Sequence, residues 1–392
     1  MSKEFVEIDP NAPIVPYKHK NLNVNLNLKA MCNLRCDYCS IPDISKSTNV
    51  QDATLLKNID ILLAKMVAEG YSWDFVMLIG AEPLMAKAST LGIVFNKIKE
   101  IFPKCRLKIQ SNGTLLTDTY AQLLEDTMDH PDELMFGWSL DGVRDLHNEW
   151  RDNSYDLAVK NLFHANKKFA FSHQLIMSVG PQHFEGDYEE ELRDFTYKCI
   201  EVGIHPTFSV VDYRINEKAA AKTATEINVA TESVWRPLSK FLISNNIISL
   251  CEKYFGPGYC RREGNECSRV LFDLADGGVY QCEKTFDIHA ATIDNFLYNT
   301  IEDCMVSRRG CTQNCKIADE CRTCEYWDWC QGSCSLKRDD DGLSHSCSLI
   351  KEVLGYIKYE LNEDYFKYLQ QAHFDGREYV KAKRIEMKKE QA

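Results

Sequence analysis

The chain has 392 residues, of which 44% are hydrophobic and 27% charged, and its formal net charge is −12. This acidity argues against a nucleic-acid partner, and the apolar content is enough for a large core without disulfide staples. No apolar run approaches the length of a transmembrane helix, and the N-terminus lacks the apolar core of a signal peptide. We therefore expect a cytoplasmic protein, without a membrane partner, whose 17 cysteines serve metal or redox chemistry.

The first two thirds of the chain alternate between strand and helix patterns. Residues 21–28 alternate strictly between Asn and apolar residues, which predicts a strand. Further strands are predicted at about 74–79, 105–110, 134–140, 172–179 and 206–211, and helices at about 52–69, 89–101, 117–128, 154–168, 185–202 and 226–245. Gly70 takes the position of a C-terminal helix cap. Six strand–helix units predict an α/β fold with a parallel sheet, and periodicity alone leaves an open doubly wound sheet and a partial barrel as alternatives.

The pattern changes after about residue 250, where the strand–helix rhythm stops. Of the 17 cysteines, 12 lie between residues 251 and 347. We predict an N-terminal lead-in over 1–20, an α/β domain over 21–247, a cysteine-rich domain over 248–350 and a helical C-terminal tail over 351–392.

Three cysteines, Cys32, Cys36 and Cys39, follow the first predicted strand with the spacing C-x3-C-x2-C. Thiolates select iron–sulfur clusters, zinc or copper(I). A structural zinc ion normally takes four protein ligands, and no fourth Cys or His lies close by in the sequence. A four-iron cluster on three thiolates keeps one iron open for a substrate or cofactor.

This motif, with the aromatic Tyr38 before its third cysteine, resembles the signature of the radical S-adenosylmethionine (radical SAM) superfamily. The resemblance implies that SAM chelates the open iron and that one electron cleaves it to a hydrogen-abstracting 5′-deoxyadenosyl radical. It also implies a partial (β/α)6 barrel of parallel strands and an external one-electron reductant that is flavodoxin- or ferredoxin-like. A zinc knuckle or three buried thiols is the structural alternative.

Other strand ends carry further elements of this resemblance. Gly80-Ala81-Glu82-Pro83 resembles the family's Gly-Gly-Glu-Pro, which implies that Gly80 and Glu82 contact the amino group of SAM. Asn112 and Ser139 end the third and fourth strands, where polar groups of relatives bind SAM or the substrate. Arg151 resembles the arginine of His-Asp-x-x-Arg, which implies a partner for the SAM carboxylate. Turn formation at Asn112-Gly113 and Asp141-Gly142 is the alternative.

The C-terminal cysteines resemble the seven-cysteine SPASM domain. Their pattern is Cys267, Gly277-x4-Cys282, Cys321-x2-Cys324-x5-Cys330-x3-Cys334 and Cys347, with Cys260 as a candidate eighth ligand. The resemblance implies one auxiliary four-iron cluster on Cys260, Cys267, Cys282 and Cys334, and another on Cys321, Cys324, Cys330 and Cys347. Two four-cysteine zinc sites fit the same spacings. Cys311 and Cys315 are alternative sources of a ligand.

These motifs together imply a radical SAM/SPASM oxidoreductase that uses SAM and three [4Fe-4S] clusters. The peptide-modifying branch implies a maturase that abstracts a side-chain hydrogen and crosslinks side chains in a ribosomally made precursor peptide, plausibly through an aromatic-to-Cβ cyclophane bond. Glu283 is the candidate catalytic base, standing where sulfatase-maturing relatives have an aspartate. Two alternatives remain: formylglycine formation on a sulfatase, against which Glu283 counts, and a non-catalytic iron–sulfur or zinc protein.

Overall fold

The structure is a computed structural model. It describes residues 20–28, 31–39, 51–130, 133–210, 234, 236–242, 244–245, 269–280, 294–305, 318–327, 341, 343, 347, 351, 354–355 and 359. Most of the helix predicted over 226–245 and of the tail over 351–392 lies outside these residues. No helix in the described part is both long and apolar enough to cross a membrane.

Within residues 20–210, the described part of the chain contains six strands and six α-helices. The strands are β1 Asn21–Asn27, β2 Ser72–Ile79, β3 Arg106–Ser111, β4 Leu134–Ser139, β5 Ser172–Val179 and β6 His205–Val210. The helices are α1 Asp52–Ala68, α2 Ala88–Ile101, α3 Asp118–Glu125, α4 Arg144–Trp150, α5 Tyr155–Lys168 and α6 Asp187–Glu201. All six predicted strands are confirmed within about two residues, whereas α4 was not predicted. Three shorter strands follow: β7 Arg269–Asp273, β8 Gly278–Tyr280 and β9 Asp294–Asn295.

The order of the strands decides between the two α/β architectures. The sheet runs β6-β5-β4-β3-β2-β1-β7-β8-β9, and neighbours among β1–β6 are parallel. A doubly wound sheet reverses its direction of growth at a switch point, and β1–β6 show no reversal. Right-handed crossovers in one direction place the helices on one face of the sheet. The architecture is therefore the singly wound, partial-barrel type that the family resemblance implies.

The two faces of β1 differ in polarity. Val24 and Leu26 are fully buried in the hydrophobic core that includes residues of α1, while Asn25 and Asn27 alternate with them on the opposite face. A parallel sheet covered on both faces usually has apolar residues on both. Residues that share the inner face by register include Lys108, Gln110, Ser139 and Gln174. The inner face is therefore mixed, because the same register places Met77, Ile79, Met135 and Ile176 beside these polar residues.

Helix ends also follow the sequence. Gly70 has a φ of 75°; its N–H donates to the Val67 carbonyl at 3.1 Å, and the Tyr71 N–H donates to the Met66 carbonyl at 2.8 Å. These two bonds form the Schellman motif, which favours glycine because its first residue beyond the cap is left-handed. The predicted cap at Gly70 is confirmed.

The sheet continues across the boundary predicted near residue 247. β7 pairs in parallel with β1 and in antiparallel with β8. The following segment contacts α1: Lys65 Nζ donates to the carbonyls of Phe296 and Asn299, each at 2.7 Å. The cysteine-rich part thus begins as an extension of the barrel sheet, and the domain boundary itself stays a prediction.

Candidate active site

The predicted site residues that the structure describes in the α/β part lie at one edge of the sheet. Because β1–β5 are parallel, their C-terminal ends meet there. The loop after β1 brings the thiols of Cys32, Cys36 and Cys39, each partly exposed. The Leu34 N–H donates to Cys32 Sγ at 3.3 Å, and Asn112 Nδ2 donates to the same sulfur at 3.8 Å. Hydrogen bonds of this kind to cluster sulfurs are one of the levers that set an iron–sulfur potential.

The cysteine loop is fixed to the end of α4. The Asp37 N–H donates to the Trp150 carbonyl at 3.0 Å, and the Tyr38 ring meets the Trp150 ring edge-on at 5.6 Å between centroids. Arg35 Nη1 donates to the carbonyls of Cys32 and Leu34 at 2.8 and 2.9 Å. These contacts hold the loop in one conformation within the protein itself.

The turn after β2 needs glycine at its first position and accepts alanine at its second. Gly80 has a φ of 126°, which L side chains rarely adopt. Among the non-glycine residues that the structure describes, positive φ occurs at Asp152 and Asn153 and not at Ala81. The replacement of the family's second glycine by alanine is therefore compatible with this turn.

Glu82 is 1% exposed and joins the ends of β2 and β3. Its carboxylate accepts hydrogen bonds from the Leu84 N–H at 3.0 Å, Ser111 Oγ at 2.7 Å and the Asn112 N–H at 2.8 Å. Burial raises the pKa of Glu82, and these bonds oppose the rise. The bonds orient the carboxylate, and its contact with a SAM ammonium stays a prediction.

Asn112 links the third strand end to the cysteine loop. Besides its contact with Cys32, its Nδ2 donates to Asn33 Oδ1 at 3.0 Å. Its Oδ1 accepts from the backbone N–H and the hydroxyl of Thr114 at 3.0 and 2.7 Å. Asn112 therefore both forms the expected turn and lies beside the cysteine loop.

Asp141 is the centre of the site, and the sequence analysis gave it no role beyond a turn. It is fully buried. Its carboxylate accepts from the Tyr38 hydroxyl at 2.9 Å, Arg151 Nε at 2.8 Å and the Ser178 N–H at 3.1 Å. Arg151 is 10 residues away in the sequence, whereas Tyr38 and Ser178 are 103 and 37 residues away, so the sequence signal was limited to the position of Asp141 at the end of β4.

Arg151 contacts two other predicted site residues, Ser139 and Tyr38. Its guanidinium is buried; Nε pairs with Asp141, and Nη1 donates to the Ser139 carbonyl at 3.2 Å. Its Cζ lies 5.1 Å from the centroid of the Tyr38 ring, within the range of a cation–π contact. These two bonds use two of the five N–H groups of the guanidinium.

His147 completes this buried group from α4. Its Nδ1 accepts from the Asp141 N–H at 3.2 Å, and its Nε2 lies 3.0 Å from Ser154 Oγ. Burial lowers the pKa of His147 to about 4, so the ring is neutral at neutral pH. Because Nδ1 accepts, the proton is on Nε2, which donates to Ser154.

Comparison with known families agrees with this arrangement. Residues 26–195 match the model of the Radical SAM superfamily. By this match, residues 26–195 form a radical SAM domain. The matched range contains the cysteine loop, the Gly80 turn and the group of residues around Asp141.

Similar proteins extend the likeness beyond the radical SAM domain. A cysteine-type anaerobic sulfatase-maturating enzyme of Clostridium perfringens (strain 13 / Type A) is 21% identical over 360 residues, 83% of this chain and 93% of that protein. The solved structure of native anSMEcpe with bound AdoMet has a TM-score of 0.66 at 17% identity, covering 90% of this chain and 99% of that one. Streptococcus suis SuiB bound to precursor peptide SuiA has a TM-score of 0.57 at 14% identity, covering 83% and 75%. These two structures show a shared fold.

The donor set of the radical SAM domain fits a four-iron cluster. Three partly exposed thiols on one loop and two N–H···S bonds suit three-thiolate ligation. In the part of the chain that the structure describes, no three His, Cys, Asp or Glu side chains are placed to hold a single metal ion. A cubane cluster spreads its thiolates further apart than one ion does.

The structure describes three of the predicted auxiliary ligands. They are Cys321, Cys324 and Cys347, and burial raises the pKa of the Cys347 thiol. These belong to the same predicted cluster. The remaining predicted residues lie outside the described residues: Cys260, Cys267, Cys282, Cys330, Cys334 and Glu283, with the alternatives Cys311 and Cys315.

Proposed function

We propose that this radical SAM enzyme is a maturase that removes a hydrogen atom from a side chain of a peptide and joins that side chain to another. In its finer form the product is a crosslink between an aromatic ring and a Cβ atom, a cyclophane, in a ribosomally made precursor peptide. The observation that carries the proposal is the gathering of Cys32, Cys36, Cys39 and the Asp141–Arg151 pair at the C-terminal ends of the parallel strands.

Cys32, Cys36 and Cys39 would hold a [4Fe-4S] cluster that, with SAM bound, supplies a hydrogen-abstracting radical. The protein's own residues would position SAM. Arg151 offers its remaining N–H groups to a carboxylate, since two are used by Asp141 and the Ser139 carbonyl. Tyr38 closes one side of the site and is held there by its hydroxyl.

The substrate class is supported by what the similar proteins act on. One relative is named as a sulfatase-maturating enzyme, and the SuiB structure contains a precursor peptide. Both names refer to a polypeptide, a sulfatase in one and a precursor peptide in the other. The polar residues of the inner face, where Lys108 Nζ donates to Gln174 Oε1 at 2.5 Å, suit a peptide better than a lipid.

Two auxiliary [4Fe-4S] clusters in a SPASM domain would complete the enzyme. Crosslinking replaces two C–H bonds by one C–C bond, so a hydrogen atom, a proton and an electron leave the substrate. Glu283 would accept the proton. The iron–sulfur centres held by the predicted cysteines would accept the electron, and an external flavodoxin- or ferredoxin-like reductant would supply the electron that starts each turnover.

Formylglycine formation is a second candidate because the curated relative is a sulfatase-maturating enzyme matched over 83% of this chain. That reaction oxidises the Cβ of a Ser or Cys to an aldehyde. Glu283 stands where an aspartate is expected in such enzymes, and its carboxylate reaches one methylene further. This difference favours a substrate whose reacting atom lies further from the backbone of residue 283 than in a sulfatase-maturating enzyme.

The test compares two peptides in anaerobic reactions with SAM and a one-electron reductant. One is a short precursor peptide encoded beside the gene, and the other is a sulfatase segment with a Ser or Cys. Crosslinking predicts 5′-deoxyadenosine together with a precursor that has lost two hydrogens and no longer fragments between the joined residues. Formylglycine predicts an aldehyde that reacts with a hydrazide. A wild-type protein that makes no 5′-deoxyadenosine with either peptide contradicts both.

A further inference from the structure

The cysteine loop shares a buried charge pair with the end of β4 and the end of α4. Asp141 is fully buried and Arg151 is 5% exposed. The Tyr38 hydroxyl lies 3.0 and 2.9 Å from the two carboxylate oxygens of Asp141. Tyr38 stands between Cys36 and Cys39 in the loop, so the pair is connected to the cluster ligands by one hydrogen-bonded side chain.

We propose that the Asp141–Arg151 pair sets the reduction potential of the cluster held by Cys32, Cys36 and Cys39, and that Asp141 positions Arg151 and Tyr38 beside it. The inference rests on the proposed function, since it concerns the same cluster. Asp141 acts through Arg151 and Tyr38 and is a positioning residue.

Both charges of the pair act on the cluster loop. Arg151 Cζ lies 5.1 Å from the centroid of the Tyr38 ring, and the Asp141 carboxylate accepts from the Tyr38 hydroxyl at 2.9 Å, so both charges lie against this loop. Because both groups are buried, water screens these effects weakly. Reduction adds negative charge to a cluster, so a nearby cation raises the potential and a nearby anion lowers it.

The other groups around the pair do not add a competing charge change at neutral pH. β4 contributes the Ser139 carbonyl and β5 the Ser178 N–H, both uncharged. From α4, His147 donates no charge, because burial lowers its pKa to about 4. His183, which packs on Trp150, is also neutral, because burial lowers its pKa to about 4. Removing one member of the pair therefore leaves the charge of the other member uncompensated beside the cluster.

The test measures the midpoint potential of the SAM-binding cluster by EPR-monitored titration of the whole enzyme at pH 8. We expect Asp141→Asn to raise the potential and Arg151→Gln to lower it. The double variant should return toward the wild-type value, and Arg151→Lys should stay near it. Asp273→Asn is the matched control, because Asp273 is also buried and hydrogen-bonded but pairs with Asn27 and the Ala275 N–H. Its potential should not change.

SAM binding gives a second readout. Asp141→Asn should weaken SAM affinity about 10- to 100-fold, the loss typical when a group that orients a ligand is removed. Should Asp141→Asn fail to hold its cluster, the comparison of Arg151→Gln with Arg151→Lys still separates charge from shape.

Equal potentials for Arg151→Gln and Arg151→Lys, or shifts of the same sign for Asp141→Asn and Arg151→Gln, overturn the inference. A purely structural role predicts such results. A wild-type protein without a cluster on Cys32, Cys36 and Cys39 contradicts the proposed function instead, so the two failures are distinguishable.

Discussion

Two glycines share one backbone conformation in very different surroundings. Gly113, in the turn after β3, has a φ of 74°, and Gly70, after α1, has a φ of 75°. A Cβ at Gly113 would lie 2.4 Å from two ring atoms of Trp138, whereas a Cβ at Gly70 would meet nothing within 4 Å. Trp138 is fully buried, and its Nε1 donates to His173 Nδ1 at 3.0 Å, so its ring has little room to move.

We predict that Gly113→Ala destabilises the protein more than Gly70→Ala. The free energy of unfolding of both variants falls by about 1 kcal/mol, because alanine is strained at positive φ. Gly113→Ala loses a further ~1–3 kcal/mol, because the methyl group overpacks the Trp138 ring. Denaturant titration of both variants under the same anaerobic conditions gives the difference in free energy of unfolding. Equal losses would show that the turn shifts away from Trp138 at little cost.

At the scale of residues, the sequence predicted what local motifs encode. Cys32, Cys36 and Cys39 stand within one loop, so their spacing is visible in the chain. Asp141 accepts its hydrogen bond from Tyr38 over a separation of 103 residues. No local pattern records such a contact, because it exists only once β1 and β4 lie in one sheet.

At the scale of elements, α1 anchors the segment that follows β9. The Glu69 carboxylate accepts from the Ile301 and Glu302 N–H groups, both at 2.8 Å, at the start of the helical turn 301–305. Glu302 in turn accepts from the Tyr71 hydroxyl at 2.6 Å and pairs with Lys20 at 2.7 Å. The segment is thus attached to the barrel by side chains near both ends of the α1–β2 turn.

We expect Glu69→Ala to loosen this attachment without unfolding the barrel. Charged hydrogen bonds of this kind contribute more than neutral ones, and partial exposure reduces the loss here to about 1 kcal/mol. Hydrogen exchange of the Ile301 and Glu302 amides should then be about fivefold faster, because their local opening is easier. Glu100→Ala, an exposed glutamate on α2, is the control. Unchanged exchange in Glu69→Ala would mean that Lys65 and Tyr71 hold the segment alone.

The elements themselves were predictable to different degrees. The six strands of the barrel are long enough for their pattern to be read, and β1 is a strict alternation. β7, β8 and β9 have five, three and two residues, too few for a period-2 pattern to be distinguished from a loop. α4 has seven residues, and its N-cap Val143 makes no side-chain cap, so it carried no start signal.

At the scale of the whole molecule, the cysteines differ in where they lie in the fold. Cys105, Cys199 and Cys304 are buried core residues, and burial raises the pKa of each to about 12. Cys105 and Cys199 therefore pack as small hydrophobic residues of the core. Cys105 directly precedes β3, Cys199 lies on α6 and Cys304 lies in the helical turn 301–305, so no two of them share a loop. These three therefore provide an internal control for the proposed cluster ligands.

The last prediction concerns iron bound per chain. Three four-iron clusters predict about twelve irons in anaerobically prepared protein. Alanine at Cys32, Cys36 and Cys39 should lower this to about eight and abolish 5′-deoxyadenosine formation, because the cluster with the open iron is lost. Alanine at Cys321, Cys324 and Cys347 should also give about eight while SAM cleavage continues, because the SAM-binding cluster is separate. Alanine at the three core cysteines should leave about twelve. Metal analysis with 5′-deoxyadenosine quantification separates these outcomes.

About two zinc ions per chain and four irons would instead assign the C-terminal cysteines to two structural zinc sites, because four thiolates satisfy tetrahedral zinc equally well.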